Sequence, residues 1–500
     1  VEDLINGLNN IIWSRALIVL CLGAGLYFSI RTRFMQVRGF REMIRLMLTN
    51  TSSAAGVSSF QALAISLSGR IGIGNIAGVA TAIAFGGPGA VFWMWVMAFL
   101  GASTAYVEST LAQIYKEKDD QGRYRGGPAY YIEKAMGQKW YAWLFAAVTI
   151  VATGFLLPGV QANGIAQGMT NAFGTPPAMT AAVVVVALGF IIFGGVKRIA
   201  KFAEVVVPFM ALAYMLVALV IMFLNYEQLP AMFMLVFESA FGLHAGFGAM
   251  LGLAVEWGVK RGIYSNEAGQ GTGPHAAAAA EVAHPAQQGY VQAFSVYVDT
   301  LLVCSATAFM ILSTGMYNVV GIGGEMLAEA LPGIEAGPGF AQNAVESVLP
   351  GYGAGFVAIA LLFFAFTTTL AYYYMAETNV AYINRKVHRP WLIFVLRIVL
   401  LAAVTFGAVR SSGMAWTLGD IGVGLMAWLN LIAILILQKP ALAALRDYEA
   451  QKQSGVEDFT FDPEALGIKN ARFWLRRQDG LEPVLPDPDA SVLRPGKDDG

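Results

Sequence analysis

Long stretches of the chain carry almost no charge, and they recur at a length that matches a bilayer. A hydrocarbon core about 30 Å thick needs roughly 20 apolar residues of helix to cross it. Laid along the sequence, that ruler predicts eleven spans: 12–31, 56–86, 89–115, 139–171, 178–196, 202–224, 229–262, 288–315, 352–383, 391–409 and 413–437. The expected fold class is an all-α polytopic membrane protein. Glu2 and Asp3 precede the first run where a signal peptide would carry basic residues, so this run reads as a true span.

The polar positions between spans set a direction. Arg31, Arg33, Arg38, Arg41 and Arg45 follow the first span, and Lys116, Lys118, Arg123, Arg125, Lys134 and Lys139 follow the third. Lys197, Arg198 and Lys201 follow the fifth, and Arg385, Lys386 and Arg389 the ninth. The alternate loops 172–177, 225–228 and 316–351 hold no Lys or Arg, and only Arg410 breaks the pattern. Basic loops stay in the cytoplasm. The expectation is a multi-pass protein of a bacterial inner membrane, with its N-terminus outside and its C-terminus cytoplasmic.

Two spans are too long and too glycine-rich for plain helices. Span two contains Ser68-Gly69-Arg70-Ile71-Gly72-Ile73-Gly74-Asn75 near the midplane. Unwound backbone at that depth is tolerated only where it lines a cavity, which is how transporters build their sites. The alternative is close packing through small residues, since Gly74 and Gly78 form a GxxxG pair. Span seven contains Gly242-Leu243-His244-Ala245-Gly246-Phe247-Gly248. With Lys260 and Arg261 taken as the cytoplasmic edge, counting back along a helix puts its break near Gly248–Gly252, also at the midplane. The two breaks lie five spans apart, so the chain divides into an N-terminal span with a basic loop (1–51), two five-span halves of opposite direction (52–225 and 226–438) and a partly disordered cytoplasmic tail (439–500). Inverted halves that each open with a broken helix point to alternating access.

Composition narrows the alternatives. Charged residues make up 13% of the chain, against about a quarter in soluble domains. The net charge of −1 gives no electrostatic footprint for nucleic acid. Cys21 and Cys304 lie in apolar runs and read as packing residues. His244, His275, His284 and His388 share no helical spacing, which argues against a haem or metal enzyme. No HExxH or Ser/His/Asp constellation is present, and Glu108, Glu256, Asp299 and Glu377 fall on separate spans. A channel would repeat one filter around an axis, whereas these two breaks differ and occur once each. The reading is a carrier, not an enzyme, with no cofactor. Nothing along the chain bears on oligomeric state.

Four stretches carry a family resemblance: GIGNIAGVATAIAFGGPG, GGPGAVFWMWV at Gly86–Val96, YRGGPAYYIEKAMG at Tyr124–Gly137, and GVKRGIYSNEAGQGTGPHAAAAAEVAHPAQQG at Gly258–Gly289. Over about residues 10 to 440 the chain resembles the sodium:alanine (alanine or glycine:cation) symporter family, AGCS. The resemblance implies a LeuT-like 5+5 inverted repeat with one extra N-terminal span. It also implies symport of small neutral amino acids such as alanine or glycine, coupled to Na⁺, with H⁺ as the alternative ion. The partners are then a small amino acid and the lipid bilayer.

On that resemblance the substrate site draws on Ser68, Arg70, Gly72, Gly74 and Asn75 in the first break, Gly246, Phe247 and Gly248 in the second, and Gln161, Thr368 and Tyr372. Gln161 serves either substrate or an ordinary interhelical hydrogen bond. Na⁺ is expected at Thr367 and Thr368 with backbone carbonyls near Gly69 and Gly72, because hard cations want oxygen ligands. Those hydroxyls could instead bond the carbonyl four residues back. Ser265, Asn266 and Glu267 are expected to form an inner gate at the cytoplasmic end. Arg70 and Tyr372 depart from the family pattern. Arg70 either pairs with a carboxylate such as Glu108 or Glu256, stands in for a cation, or binds the substrate carboxylate. Tyr372 shares a helix face with Thr368 and could cap the substrate side chain.

Overall fold

The computed structural model describes residues 2–48, 55–119, 121–244, 246–387, 389 and 391–480. His388, the expected boundary at 51/52 and the Pro-rich end 486–500 lie outside the described residues.

Helices α1 (Glu2–Ile12) and α2 (Arg15–Arg31) make the first span, and the short helices α3 (Met35–Arg38) and α4 (Phe40–Met47) carry the first basic loop. α5 (Ser59–Arg70) starts at a capping box: the Ser58 hydroxyl accepts the Gln61 N–H and the Gln61 carboxamide accepts the Ser58 N–H, both at 3.1 Å. α5 stops at Ile71, and the chain resumes as a π-helical turn, Gly74–Gly78, and α6 (Val79–Gly86), bent from α5 by 52°. α7 (Gly89–Ile114) leads to a small antiparallel hairpin, β1 (Glu117–Lys118) and β2 (Tyr124–Arg125), and then to α8 (Pro128–Tyr131).

The span Lys139–Phe173 comprises α9 (Lys139–Val151), a π-helical turn at Ala152–Leu156 and α10 (Leu157–Phe173). The turn just before Pro158 absorbs the hydrogen bond that proline cannot donate. α11 (Pro177–Ile192) and α12 (Gly195–Leu224) complete the first half. α12 turns Phe209, Leu212, Leu216 and Phe223 outward, an apolar surface suited to lipid.

The second half begins with α13 (Leu229–Ala240), α14 (Leu251–Asn266) and α15 (Gly273–Ala279). α16 (Pro285–Val296), a π-helical stretch at Tyr297–Cys304 and α17 (Ser305–Thr314) form the next span. A loop with the antiparallel strands β3 (Asn318–Val320) and β4 (Met326–Glu329) and with α18 (Pro338–Val348) follows. α19 (Gly353–Val387), α20 (Trp391–Ala408) and α21 (Ser412–Gln453) are the last spans, and α22 (Arg472–Gln478) ends the described chain. Among the described residues, eight helices are long and apolar enough to cross a membrane, and the bent α5–α6 pair makes a ninth crossing. The shorter α11 and the broken α14–α15 occupy the places of spans five and seven, so the protein is a multi-pass membrane protein of the expected architecture.

The second break is not where the sequence placed it. The chain does leave the helix at 241–250, but this gap lies at the end of the bundle away from the basic loops. Phe247 packs with Met250 and Val319 of the β3–β4 loop. The break that faces α5–α6 falls between Asn266 and Gly273. Glu267, Gly269 and Gly271 there have φ of 58°, 83° and 84°, which a right-handed helix cannot contain. Lys260 and Arg261 misled the count: they mark no membrane edge but are buried beside Asp420.

The two broken helices run antiparallel. Val57, just before α5, bridges to Ala280, just after α15, while Gly86 at the far end of α6 packs against Leu253 and Trp257 of α14. The described part of the tail is folded. α21 continues to Gln453 with Ala441, Ala444, Leu445 and Tyr448 buried at i, i+3, i+4 and i+7, and Phe473 and Trp474 of α22 are buried too.

Candidate functional site

At the α5–α6 break the helix leaves backbone groups without intrahelical partners, and side chains from three helices take them. The Gly72 N–H donates to Asn75 Oδ1 (2.8 Å), and the Ile73 N–H donates to Gln161 Oε1 of α10 (3.0 Å). The Thr368 hydroxyl of α19 donates to the Ile71 carbonyl (3.2 Å) and to Phe364 O (3.0 Å). Only glycine fits at 72, because a Cβ there would overlap the Thr368 hydroxyl and lie 2.9 Å from Gln161 Oε1. At Gly74 a Cβ would meet Ser265 Cα at 3.2 Å and the Tyr264 ring at 3.3 Å. Tyr372 is buried beside Gln161 and Tyr264.

Gly72, Gly74, Asn75, Gln161, Thr368 and Tyr372 thus gather at one place. Others do not. Thr367 lies about 100° further round α19, and its hydroxyl donates to Phe363 O and Phe364 O (both 3.0 Å) and faces Met210 of α12. The Ser68 hydroxyl returns to Ile65 O of its own helix (2.7 Å). Gly246, Phe247 and the turn Gly248–Met250 sit at the bundle's far end, where the Gly246 N–H donates to His244 Nδ1.

Ser265, Asn266 and Glu267 are not at the basic end either, because they close α14 beside the first break. The Ser265 hydroxyl donates to both Asp299 oxygens (3.1 and 2.9 Å), Asn75 Nδ2 donates to Asp299 Oδ1 (2.6 Å), and the Thr300 hydroxyl donates to Asp299 Oδ2 (2.7 Å). Asn266 donates to Thr300 Oγ1 (3.3 Å) and accepts the Ala268 N–H (3.0 Å). Glu108 of α7 accepts the Gly269 N–H (3.2 Å) and Asn430 Nδ2 (2.7 Å).

Arg70 is buried and donates to Gln292 O (3.1 Å) and to the Ser295 hydroxyl. The bridges expected from sequence are not made: Glu108 is held by Gly269 and Asn430, and Glu256 lines a cavity at the far end. From sequence Glu108 is expected only as a partner of Arg70, and Asp299 has no assigned place in the site. Their cost inside a membrane was the available signal.

Both ends of this region are shut. Toward the far end, Asp420 of α21 holds Arg261 (2.7 Å) and Lys260 (2.8 Å), and the Arg261 guanidinium lies 4.3 Å from the centre of the Trp416 ring. Beyond this lid is a cavity of about 510 Å³ lined in part by Asn9, Thr81, Glu256, Asn318 and Thr417. Toward the basic end, Ala280 O accepts from Lys116 Nζ (2.9 Å) and Gln113 Nε2 (3.0 Å), and Arg125 pairs with Glu377 (2.9 Å). The residues around the breaks are therefore out of contact with solvent.

Residues 1–463 match the model of the sodium:alanine symporter family. A putative sodium/proton-dependent alanine carrier protein, YrbD, of Bacillus subtilis (strain 168) is 62% identical over 474 residues, covering 95% of this chain and 98% of that one. The sodium/proton-dependent alanine carrier protein of Bacillus sp. (strain PS3) is 56% identical over 435 residues, 86% and 97% of the two chains. Among solved structures, MhsT in complex with L-phenylalanine has a TM-score of 0.55 at 15% identity, covering 79% of this chain and 97% of that one, a likeness of fold alone. Two antiparallel broken helices enclosing a sealed polar centre are the architecture of a carrier, and with these matches the chain belongs to the sodium:alanine symporter family.

Proposed function

We propose that the protein carries small neutral amino acids, alanine or glycine, across the bacterial inner membrane with Na⁺, holding the substrate at Gly72–Gly74 between the α5–α6 break and the end of α14. The observation that carries this reading is the pair of unwound amides at Gly72 and Ile73, now capped by Asn75 and Gln161. A substrate carboxylate fits such amides at the start of a helical segment, where the helix dipole favours negative charge. Gln161, once displaced, is free to bond the substrate.

For the cation, Thr368 Oγ1 and Ile71 O bring two oxygens from different helices to 3.2 Å, the donor chemistry Na⁺ requires. Thr367 is not part of this set. The basic loops give the orientation, with the β3–β4 end outside and both the hairpin β1–β2 and the tail in the cytoplasm. Purified protein in proteoliposomes should show saturable, Na⁺-dependent alanine uptake and should exchange internal for external alanine. Uptake that neither saturates nor exchanges would rule out a carrier.

A further inference from the structure

We propose that Glu267 is a proton-binding site, the carboxyl on which a co-transported proton crosses, with Arg70 as its counter-charge on the opposite broken helix. This rests on the transport reading above and adds a second coupled ion to it.

Three carboxylates, Glu108, Glu267 and Asp299, and one cation, Arg70, are buried around the breaks. Two of the three carboxylates are well supplied with donors. Asp299 receives Asn75, Ser265 and Thr300, and Glu108 receives the Gly269 amide and Asn430. Glu267 is the poorly supplied one: among the described residues no donor meets either oxygen in good hydrogen-bond geometry, and the Thr272 hydroxyl is the side-chain donor that stands near it. A buried carboxylate with so few donors is disfavoured in its charged form, whereas the protonated acid is neutral and brings an O–H of its own.

Arg70 supplies the complement. Its Nε and Nη2 have no acceptor among the described residues. It approaches the same break: a Cβ at Gly273 would lie 2.7 Å from Nη2, and a Cβ at Gly69, next to Arg70, would lie 3.3 Å from Glu267 Oε2. An acid short of donors and a guanidinium with donors to spare therefore face each other between the broken helices without forming an ion pair. The titratable groups facing Glu267 are Arg70 on α5, Glu108 on α7, Asp299 in the 297–304 stretch, Tyr264 on its own helix and Tyr372 on α19. His275, on α15, is committed elsewhere, with Nδ1 bonded to Thr272 O (2.9 Å) and Nε2 to Asn379 (2.8 Å).

Glu267 has left-handed φ in the break itself, so relative motion of α14 and α15 turns its backbone and carries the carboxyl toward or away from Arg70. The step is a plain proton transfer. The carboxylate takes a proton from hydronium when the far end is open, crosses as the neutral acid, and returns the proton to water at the basic end as the Arg70–Glu267 pair closes. Na⁺ between Thr368 and Ile71 O and H⁺ at Glu267 are then separate sites, one beside each break.

The test is a count of protons per alanine in proteoliposomes holding a pH-sensitive dye, with an inward Na⁺ gradient and L-alanine as probe. The parent should acidify the lumen in fixed ratio to alanine entry. Glu267→Gln should lower that ratio at least tenfold at whatever rate it runs, while Glu267→Asp keeps the ratio and shifts the pH at which uptake is half-maximal. A parent that takes up alanine with no change in lumen pH overturns the proposal without any variant, and so does an undiminished ratio in Glu267→Gln. A parent that moves no small neutral amino acid overturns the transport reading itself.

Discussion

The Thr368 hydroxyl reaches across from α19 to the carbonyl of Ile71, 3.2 Å away at the broken end of α5. Thr367, one residue earlier, faces α12 instead. Thr368→Ala should therefore weaken apparent Na⁺ affinity by about tenfold or more, on the order of 1.4 kcal/mol for a lost oxygen ligand. Thr367→Ala should stay within about twofold of the parent, since its hydroxyl only returns to its own helix. Sodium activation curves for the two variants check this, and equal losses would place the ion elsewhere.

Gly72 and Gly74 leave little space for a side chain, for different reasons. A Cβ at 72 meets the Thr368 hydroxyl and Gln161, whereas one at 74 meets the backbone of Ser265. Gly72→Ala can be accommodated only by moving the two side chains that hold the break, and Gly74→Val must push α14 away. Overpacking of this kind costs about 1–3 kcal/mol, so alanine binding in a calorimetric titration should weaken by roughly 5-fold to 150-fold. Binding as tight as the parent's in Gly74→Val would remove this region from the substrate site.

Among the described residues, Asp420 is the carboxylate that pairs with both Lys260 and Arg261 in the far lid. Asp420→Asn leaves two buried cations without their paired carboxylate, and removing one partner of a buried pair costs about 3–5 kcal/mol. A clear fall in melting temperature is expected. Lys260→Met should be much milder, because Arg261 keeps both of its bonds to Asp420. A melting temperature unchanged in Asp420→Asn would show that the lid contributes nothing to this state.

His284, between α15 and α16, accepts the Ala286 N–H on Nδ1 and donates from Nε2 to Asp447 of α21 (3.0 Å). Burial holds its pKa below the ordinary 6.5, against the opposing pull of Asp447. Above pH 6.5 the ring is neutral whether the protein is folded or not, so it adds no pH dependence. As the pH falls below that value the unfolded chain takes up the proton first, and stability is lost. Between pH 7 and 5 the parent's melting temperature should therefore drop more steeply than that of His284→Gln. Parallel curves would show that the ring does not report on this contact.

The spans and the first break were legible because they depend on local properties: apolar length, loop charge and a run of glycines that cannot hold a helix at the midplane. The second break is written just as plainly in Glu267-Ala268-Gly269-Gln270-Gly271, but in the sequence Lys260 and Arg261 have the look of a membrane edge. Only their partner Asp420, more than 150 residues away, shows otherwise. The same limit applied to Thr367 and Thr368, since helix periodicity separates their faces without saying which one meets α5. Asp299 and Glu108 could be flagged as costly, but their donors arrive from distant helices. In the tail, Ala441, Ala444, Leu445 and Tyr448 carried an amphipathic signal that the surrounding polar residues obscured.

The folded tail makes the two ends of the carrier unequal. The Trp474 indole donates to Gln113 O (2.9 Å), and Arg477 donates to Val282 O (2.9 Å) and pairs with Glu281 (3.0 Å), while Asp447 holds His284. The tail thus ties Gln113 to 281–284, so moving 280–284 away from Gln113 must break its bonds on one side or the other, whereas none need break when the far lid opens. These contacts oppose opening at the basic end and leave the far end unopposed by the tail. A shortened tail would shift turnover and the balance of influx against efflux while leaving the intrinsic fit of the substrate pocket as it is.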